Sequence, residues 1–133
     1  MHDLAARRSA LSFLWLSVAL NIAFADILGL FTPGVLGQVM DGVIEGVALS
    51  ERLMLVAAVF IEVPVAMIVA MQVMPRRAWR PVNSAAAVVT ALFVLGGGSL
   101  KPHYVFFATC EILALCAIVW LVWRSPAAEP ERM

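Results

Sequence analysis

Four stretches of the chain are apolar over lengths that can cross a lipid bilayer, and this constrains the fold most. A transmembrane helix needs about 20 mainly apolar residues, and the stretches occupy residues 10–31, 52–73, 82–100 and 103–123. Hydrophobic residues make up 63% and charged residues 14% of the chain, whereas soluble domains average about 45–50% and about 25%. A soluble fold of this size cannot bury so much apolar surface. We therefore predict an all-α bundle of four transmembrane helices as a single domain over residues 1–126, with a short polar tail at 127–133.

Residues with turn and capping preferences separate the stretches. Ser50 stands where it can cap the second helix, and Pro75 and Pro81 bracket the connection to the third. Within the second stretch, Pro64 lacks a backbone donor, which leaves the Phe60 carbonyl without its helical partner and favours a kink. Three glycines stand near the outer end of the third stretch, where they permit a tight turn or a close helix contact: Gly96, Gly97 and Gly98.

The basic residues are distributed unevenly and predict an orientation. Seven of the nine Lys and Arg lie at the N-terminus, between the second and third stretches or at the C-terminus; only Arg52 and Lys101 lie in the other two connections. Cytoplasmic loops carry such an excess. The sequence thus predicts a multi-pass protein of a bacterial cytoplasmic (inner) membrane with both termini in the cytoplasm. The first stretch also resembles a signal peptide with a cleavage site at 23–25, but it remains apolar to Leu30, so we expect it to be retained.

The first outer loop, at about 32–50, has a helical pattern of its own. Apolar residues recur from Val35 to Val47 at helical spacing, with Gln38, Asp41 and Glu45 on the other side. We expect a short amphipathic helix lying in the outer interface between the first and second spans. It can serve as a lid over the bundle or as a passive connection.

Three carboxylates interrupt the apolar stretches: Asp26, Glu62 and Glu111. An acidic residue costs about 2.5–3.5 kcal/mol at the centre of a spanning helix, and such residues usually mark a functional site. At a rise of about 1.5 Å per residue, all three fall in the outer half, with Asn21 at a similar depth to Glu62 and His103 at the surface. We predict that these five side chains line one pocket open to the outside, as ligand-binding or proton-active groups. The alternative is a hydrogen-bond network that only locks the helices together.

Several kinds of site are not expected. A net charge of zero gives no reason to expect a nucleic-acid partner. The two histidines and two cysteines have no metal-ligand spacing, and there is no phosphate-binding glycine loop. We expect no metal and no cofactor, while a homo-oligomer is compatible with so short a bundle.

Four segments resemble a known family: 21–28 (NIAFADIL), 61–67 (IEVPVAM), 96–104 (GGGSLKPHY) and 106–111 (FFATCE). They are similar to small bacterial four-helix membrane proteins of unknown function, with a DoxX-like general organisation. The resemblance covers nearly the whole chain and implies no activity. It implies that the positions to test are Asn21, Asp26, Glu62, Pro64, His103 and Glu111.

Three functions are compatible with the sequence. The first is binding or transport of a small or lipophilic ligand in the acidic pocket. The second is a membrane-embedded enzyme acting on a lipid or quinone, with a protonated Glu and His103 as acid and base. The third is a structural accessory subunit of a membrane complex. The sequence does not determine whether the pocket is catalytic.

Overall fold

The computed structural model describes residues 2–124, which form four long helices and a small subdomain between the first two of them. The long helices are α1 (His2–Leu30), α3 (Glu51–Val73), α4 (Trp79–Gly96) and α5 (Pro102–Arg124). Between α1 and α3 lie α2 (Val35–Met40) and the strands β1 (Val43–Ile44) and β2 (Val47–Ala48). A 3₁₀ turn at Arg76–Ala78 leads into α4. The tail predicted at 127–133 lies outside the described residues.

The four long helices are apolar and long enough to cross a membrane, as the sequence predicts. Each packs on two neighbours, α1 and α4 each lying against both α3 and α5. Large apolar side chains are exposed on all four, among them Phe13, Val59, Leu92 and Leu113. The third helix differs in its bounds from the predicted segment 82–100. Helix α4 begins earlier, at Trp79, and ends earlier, at Gly96.

The end of the bundle that carries residues 2 and 124, here called the terminal end, is tightly packed and hydrogen-bonded. The Trp15 indole N–H donates to Asn83 Oδ1 over 2.8 Å, and both side chains are fully buried. The Arg8 guanidinium donates to the carbonyls of Met71, Gln72 and Met74 over 2.6, 2.6 and 3.2 Å. These carbonyls lie at the C-terminus of α3, where no further helical turn can supply donors. The side chain of Arg8 therefore completes the end of α3.

Pro64 lies inside α3, is fully buried, and does not break the helix, which continues to Val73. Ser50 caps this helix as predicted, its hydroxyl accepting the Leu53 N–H over 3.2 Å.

The segment between α1 and α3 forms a short helix followed by a hairpin, where the sequence pattern predicts one helix. Helix α2 ends at Met40, and β1 then pairs antiparallel with β2. Gly42 and Gly46 have φ of 77° and 82°, and Glu45 has φ of 49°. Successive positive φ values at Glu45 and Gly46 are those of a type I′ hairpin turn. Glycine adopts a positive φ without a steric clash, so Gly42 and Gly46 allow the chain to turn here and the helix does not continue.

Candidate functional site

An acidic cavity lies near the hairpin end of the bundle, opposite the terminal end, between α1, α4 and α5. Its volume is about 50 Å³, enough for on the order of three water molecules. Helix α1 contributes Asp26, and α5 contributes Tyr104 and Glu111. The remaining lining residues are apolar or lack a side chain: Ile22, Ala25, Phe93, Val94, Gly97 and Ala108.

Helical spacing brings the polar groups to one side of α5. Tyr104, Ala108 and Glu111 are separated by four and three residues, so they share one face. The small side chain of Ala108 leaves space between the two polar groups. Gly29 of α1 has a comparable effect, because a Cβ there would lie 3.4 Å from the Tyr104 ring. The ring therefore lies close against α1, and its hydroxyl reaches Asp26.

The two carboxylates of the cavity have different surroundings. Asp26 is exposed and accepts a hydrogen bond from the Tyr104 hydroxyl over 2.5 Å. Glu111 is 2% exposed, and its carboxylate has no hydrogen bond or ion pair with any residue in the described range 2–124. A buried polar group without a partner is costly, and a charged one more so. The cavity thus runs from an exposed carboxylate that Tyr104 holds to Glu111, a residue deep in the bundle that borders the cavity.

The other predicted site residues do not line this cavity. Asn21 donates to the Ser17 carbonyl on its own helix over 2.8 Å. Glu62 is exposed on α3, which contributes nothing to the lining. His103 lies next to Tyr104, with ring centroids 5.5 Å apart, and its buried Nε2 has no partner among the described residues. Of the five candidates, the structure brings only Asp26 and Glu111 together.

Tyr104 is the residue that the sequence analysis missed. It is the only tyrosine of the chain, and it stands seven residues before Glu111. That spacing corresponds to two helical turns, so a search for polar groups on the Glu111 face would have found it.

An apolar groove adjoins the cavity on the outside of α4 and α5. Its volume is about 390 Å³, and it shares Val94, Tyr104 and Ala108 with the cavity. The other lining residues are almost all apolar: Leu95, Gly98, Ser99, Leu100, Val105, Thr109, Ile112 and Leu113. We call this surface the α4–α5 groove. The acidic cavity therefore offers polar groups to one end of a ligand, and the adjacent groove offers apolar surface to its other end.

The hairpin is attached to the connection between α4 and α5 through Glu45. Its carboxylate pairs with Lys101 Nζ over 2.9 Å and accepts the Ser99 hydroxyl over 3.0 Å. Hydrogen bonds from Lys101 and Ser99 hold the pKa of the Glu45 carboxyl below its usual value. The attachment lies close in sequence to Tyr104, at the same end of the bundle as the cavity.

This attachment predicts a pH-dependent hairpin. Because the pKa of Glu45 is lowered on folding, the ion pair contributes above the ordinary pKa of a glutamate and is lost as the pH falls through the lowered value. Glu45→Gln should therefore raise hydrogen exchange of the Leu49 amide, which bonds to the Gly42 carbonyl, to the level that the wild type reaches only in acid. Exchange rates corrected for intrinsic pH dependence measure this. Asp41→Asn, at a neighbouring exposed carboxylate, is the control and should keep the wild-type profile.

No metal site is formed within residues 2–124, where no three His, Cys, Asp or Glu side chains could hold an ion together. The two cysteines, Cys110 and Cys116, are free.

Comparison with known proteins identifies a family but no activity. A family model described as "Family of unknown function (DUF6326)" matches residues 2–128. No curated protein and no solved structure matches the chain. The function therefore has to be argued from the geometry of the cavity.

Proposed function

We propose that this chain, which belongs to the DUF6326 family of unknown function, binds and transports a small lipophilic cation. The positively charged head would contact Glu111 and Asp26 in the acidic cavity, and the apolar part would lie in the α4–α5 groove. The predicted membership of a family of unknown function is confirmed; the ligand is the proposal.

The proposal includes a membrane placement. The chain would be a multi-pass protein of a bacterial inner membrane, DoxX-like in general organisation, with both termini in the cytoplasm. The excess of Arg at the terminal end supports this orientation. Helix α2 and the hairpin would then lie at the outer interface, where the exposed Leu36 and Met40 can contact lipid. The acidic cavity would face the outside.

The observation that carries the proposal is that Glu111, only 2% exposed, lines the cavity without a hydrogen bond or ion pair to any residue in the range 2–124. A carboxylate in a small and mostly apolar cavity is costly unless a donor or a cation accompanies it. A network that only locked the helices together would satisfy this group, as the Trp15–Asn83 pair is satisfied at the terminal end. A ligand with an ammonium group can supply the missing donor and charge. A positive head beside the two cavity carboxylates is favourable for the same reason.

The dimensions of the two spaces determine the kind of ligand. A cavity of about 50 Å³ admits a primary ammonium group but no bulky head. The groove of about 390 Å³ is within the range of ordinary small-molecule sites, which measure about 300–1,000 Å³. A linear alkylamine matches both. An enzyme with His103 as its base is less well supported, because His103 is outside the cavity lining.

Binding of dodecylamine to the full chain in lipid nanodiscs tests the proposal. Radiolabelled dodecylamine should bind saturably above the level in empty nanodiscs, and unlabelled dodecylamine should displace it. Dodecanol has the same tail without the charge and should compete at least about tenfold more weakly, since a buried charge pair contributes more than a neutral hydrogen bond. Equal competition by dodecanol, or no saturable binding, would contradict the proposal.

A further inference from the structure

A second groove between α4 and α5 runs from the middle of the bundle toward the terminal end. Its volume is about 390 Å³, and its lining carries no charged side chain. Both helices contribute to the lining, among others with Ala87, Val88, Ala91, Ile112, Cys116 and Trp120. We call this surface the terminal groove. It shares no lining residue with the acidic cavity, so it is a separate surface of the bundle.

Two guanidinium groups lie at the terminal end of this groove. The guanidinium of Arg124, one helical turn beyond Trp120, lies 4.8 Å from the centre of the Trp120 ring. Arg80 of α4 reaches across to α5, where it donates to the Trp123 carbonyl over 3.3 Å and lies 5.4 Å from the centre of the Trp123 ring. Because Trp120 both lines the groove and contacts Arg124, the apolar groove is continuous with the positive charge at its end.

No carboxylate of α4 or of the terminal half of α5 offsets these arginines. Helix α4 contains no acidic residue, and the one acid of α5, Glu111, lies about 20 Å from Arg124 along the helix axis. Within residues 2–124, the Arg124 guanidinium forms no ion pair and the Trp120 indole N–H has no acceptor. Both side chains are exposed, so these donors can bind an anion at the surface of the bundle.

We propose that an anionic phospholipid docks on this face, with its phosphate at Arg80 and Arg124 and an acyl chain in the terminal groove. A guanidinium binds a phosphate through two parallel charge-assisted hydrogen bonds. Basic pockets between membrane helices bind anionic headgroups in this way on the cytoplasmic side, which is the side proposed above for the terminal end. Trp120 and Trp123 then lie at the level of the headgroups, where indole rings are enriched.

Charge complementarity is the reason to choose an anionic lipid over a neutral one. The α4–α5 groove at the hairpin end has a similar volume, but the cation that follows its lining in sequence, Lys101, is already paired with Glu45. The lipid site depends on the proposed membrane placement and not on cation transport, because the terminal groove and the acidic cavity share no residue. Failure of dodecylamine binding would leave it unaffected.

Native mass spectrometry of the full chain tests the lipid preference. Micelles that contain phosphatidylglycerol and phosphatidylcholine in equal amounts, with the same acyl chains, should yield at least about tenfold more of the one-lipid complex with phosphatidylglycerol. Each arginine near an anionic headgroup contributes about fivefold. Arg124→Gln should therefore lower this ratio about fivefold, whereas Arg124→Lys keeps the charge and should retain most of it.

Arg7→Gln is the matched control for charge, since it removes one arginine from the same end of the bundle but from α1. It should leave the ratio of the two lipids unchanged. Equal binding of the two lipids by the wild type would overturn the proposal. An equal loss in Arg7→Gln and Arg124→Gln would overturn it too, because the preference would then follow net charge and not a site.

A larger side chain in the groove tests the place of the acyl chain. Cys116→Phe fills the terminal groove without a change of charge and should lower the fraction of chain with bound phosphatidylglycerol severalfold. Val59→Phe adds similar bulk to an exposed position of α3 and should have no effect. Cys116 and Arg124 are exposed, so their substitution should not prevent folding. Full binding in Cys116→Phe would show that a phosphate group is bound without its chain, and a wild-type dimer that Cys116→Phe dissociates would show that a second copy occupies the groove; either result would overturn the proposal.

Discussion

Glu111→Gln is expected to abolish most of the affinity for dodecylamine while making the bundle more stable. Loss of a buried charge pair with the ligand costs at least ~2 kcal/mol, or about thirtyfold in the dissociation constant. The free energy of unfolding should rise by about 1 kcal/mol, because an amide of the same shape is cheaper to bury than an unpartnered carboxylate. Nanodisc binding and thermal unfolding followed by tryptophan fluorescence measure the two effects.

Opposite changes in affinity and stability distinguish a ligand site from a purely structural carboxylate. If the carboxylate only held the helices together, converting it to an amide would lower the stability of the bundle, as an accessory role predicts. Glu62→Gln is the matched control, since it makes the same change in another span outside the cavity, and it should leave dodecylamine affinity unchanged. Lower stability in Glu111→Gln with unchanged affinity would contradict the proposed function.

Arg8→Ala is expected to cause the largest loss of stability in the bundle. It removes three donated hydrogen bonds to the carbonyls at the end of α3 and a guanidinium placed 5.3 Å from the centre of the Trp79 ring. Hydrogen bonds to a charged group contribute about 1.5–3 kcal/mol each, but not additively. We expect the free energy of unfolding to fall by about 3 kcal/mol, measured by denaturation in mixed micelles.

The neighbouring arginine provides the control for this loss. Arg7 forms an exposed ion pair with Asp3, and exposed pairs contribute about 0–1 kcal/mol. Arg7→Ala should therefore have a much smaller effect than Arg8→Ala, although both remove one positive charge from the same turn. Equal losses of stability in the two variants would show that the net charge matters, and not the hydrogen bonds of Arg8 to the end of α3.

The four long helices could be predicted because their signal is local. A run of about 20 apolar residues is readable without knowledge of its neighbours. The cap at Ser50 is equally local, since it depends on a residue three positions later. The segment between α1 and α3 is harder to predict because its apolar spacing favours a helix, whereas the positive φ at Gly42, Glu45 and Gly46 belongs to a turn. Two short elements therefore replace the continuous helix.

The candidate site could be predicted only in part, because depth in a membrane does not determine the direction of a side chain. Asp26 and Glu62 were grouped by depth, yet Asp26 faces the cavity and Glu62 lies on the exposed face of α3. Tyr104 is not among the predicted residues because the prediction starts from carboxylates that interrupt the apolar stretches. Its role follows from the contact with Asp26, a residue far away in the sequence.

The sequence by itself determined that this chain forms four long apolar helices, and it located the acidic residues within them. Those properties depend on composition and on spacing along one helix. Only the tertiary structure decided that Asp26 and Glu111 share a cavity with Tyr104 while Glu62 does not. The physical reason is that the rotation of each helix about its axis is set by packing against its neighbours, through contacts such as Trp15 with Asn83 and Arg8 with the end of α3. These contacts join residues more than sixty positions apart, and no local pattern encodes them.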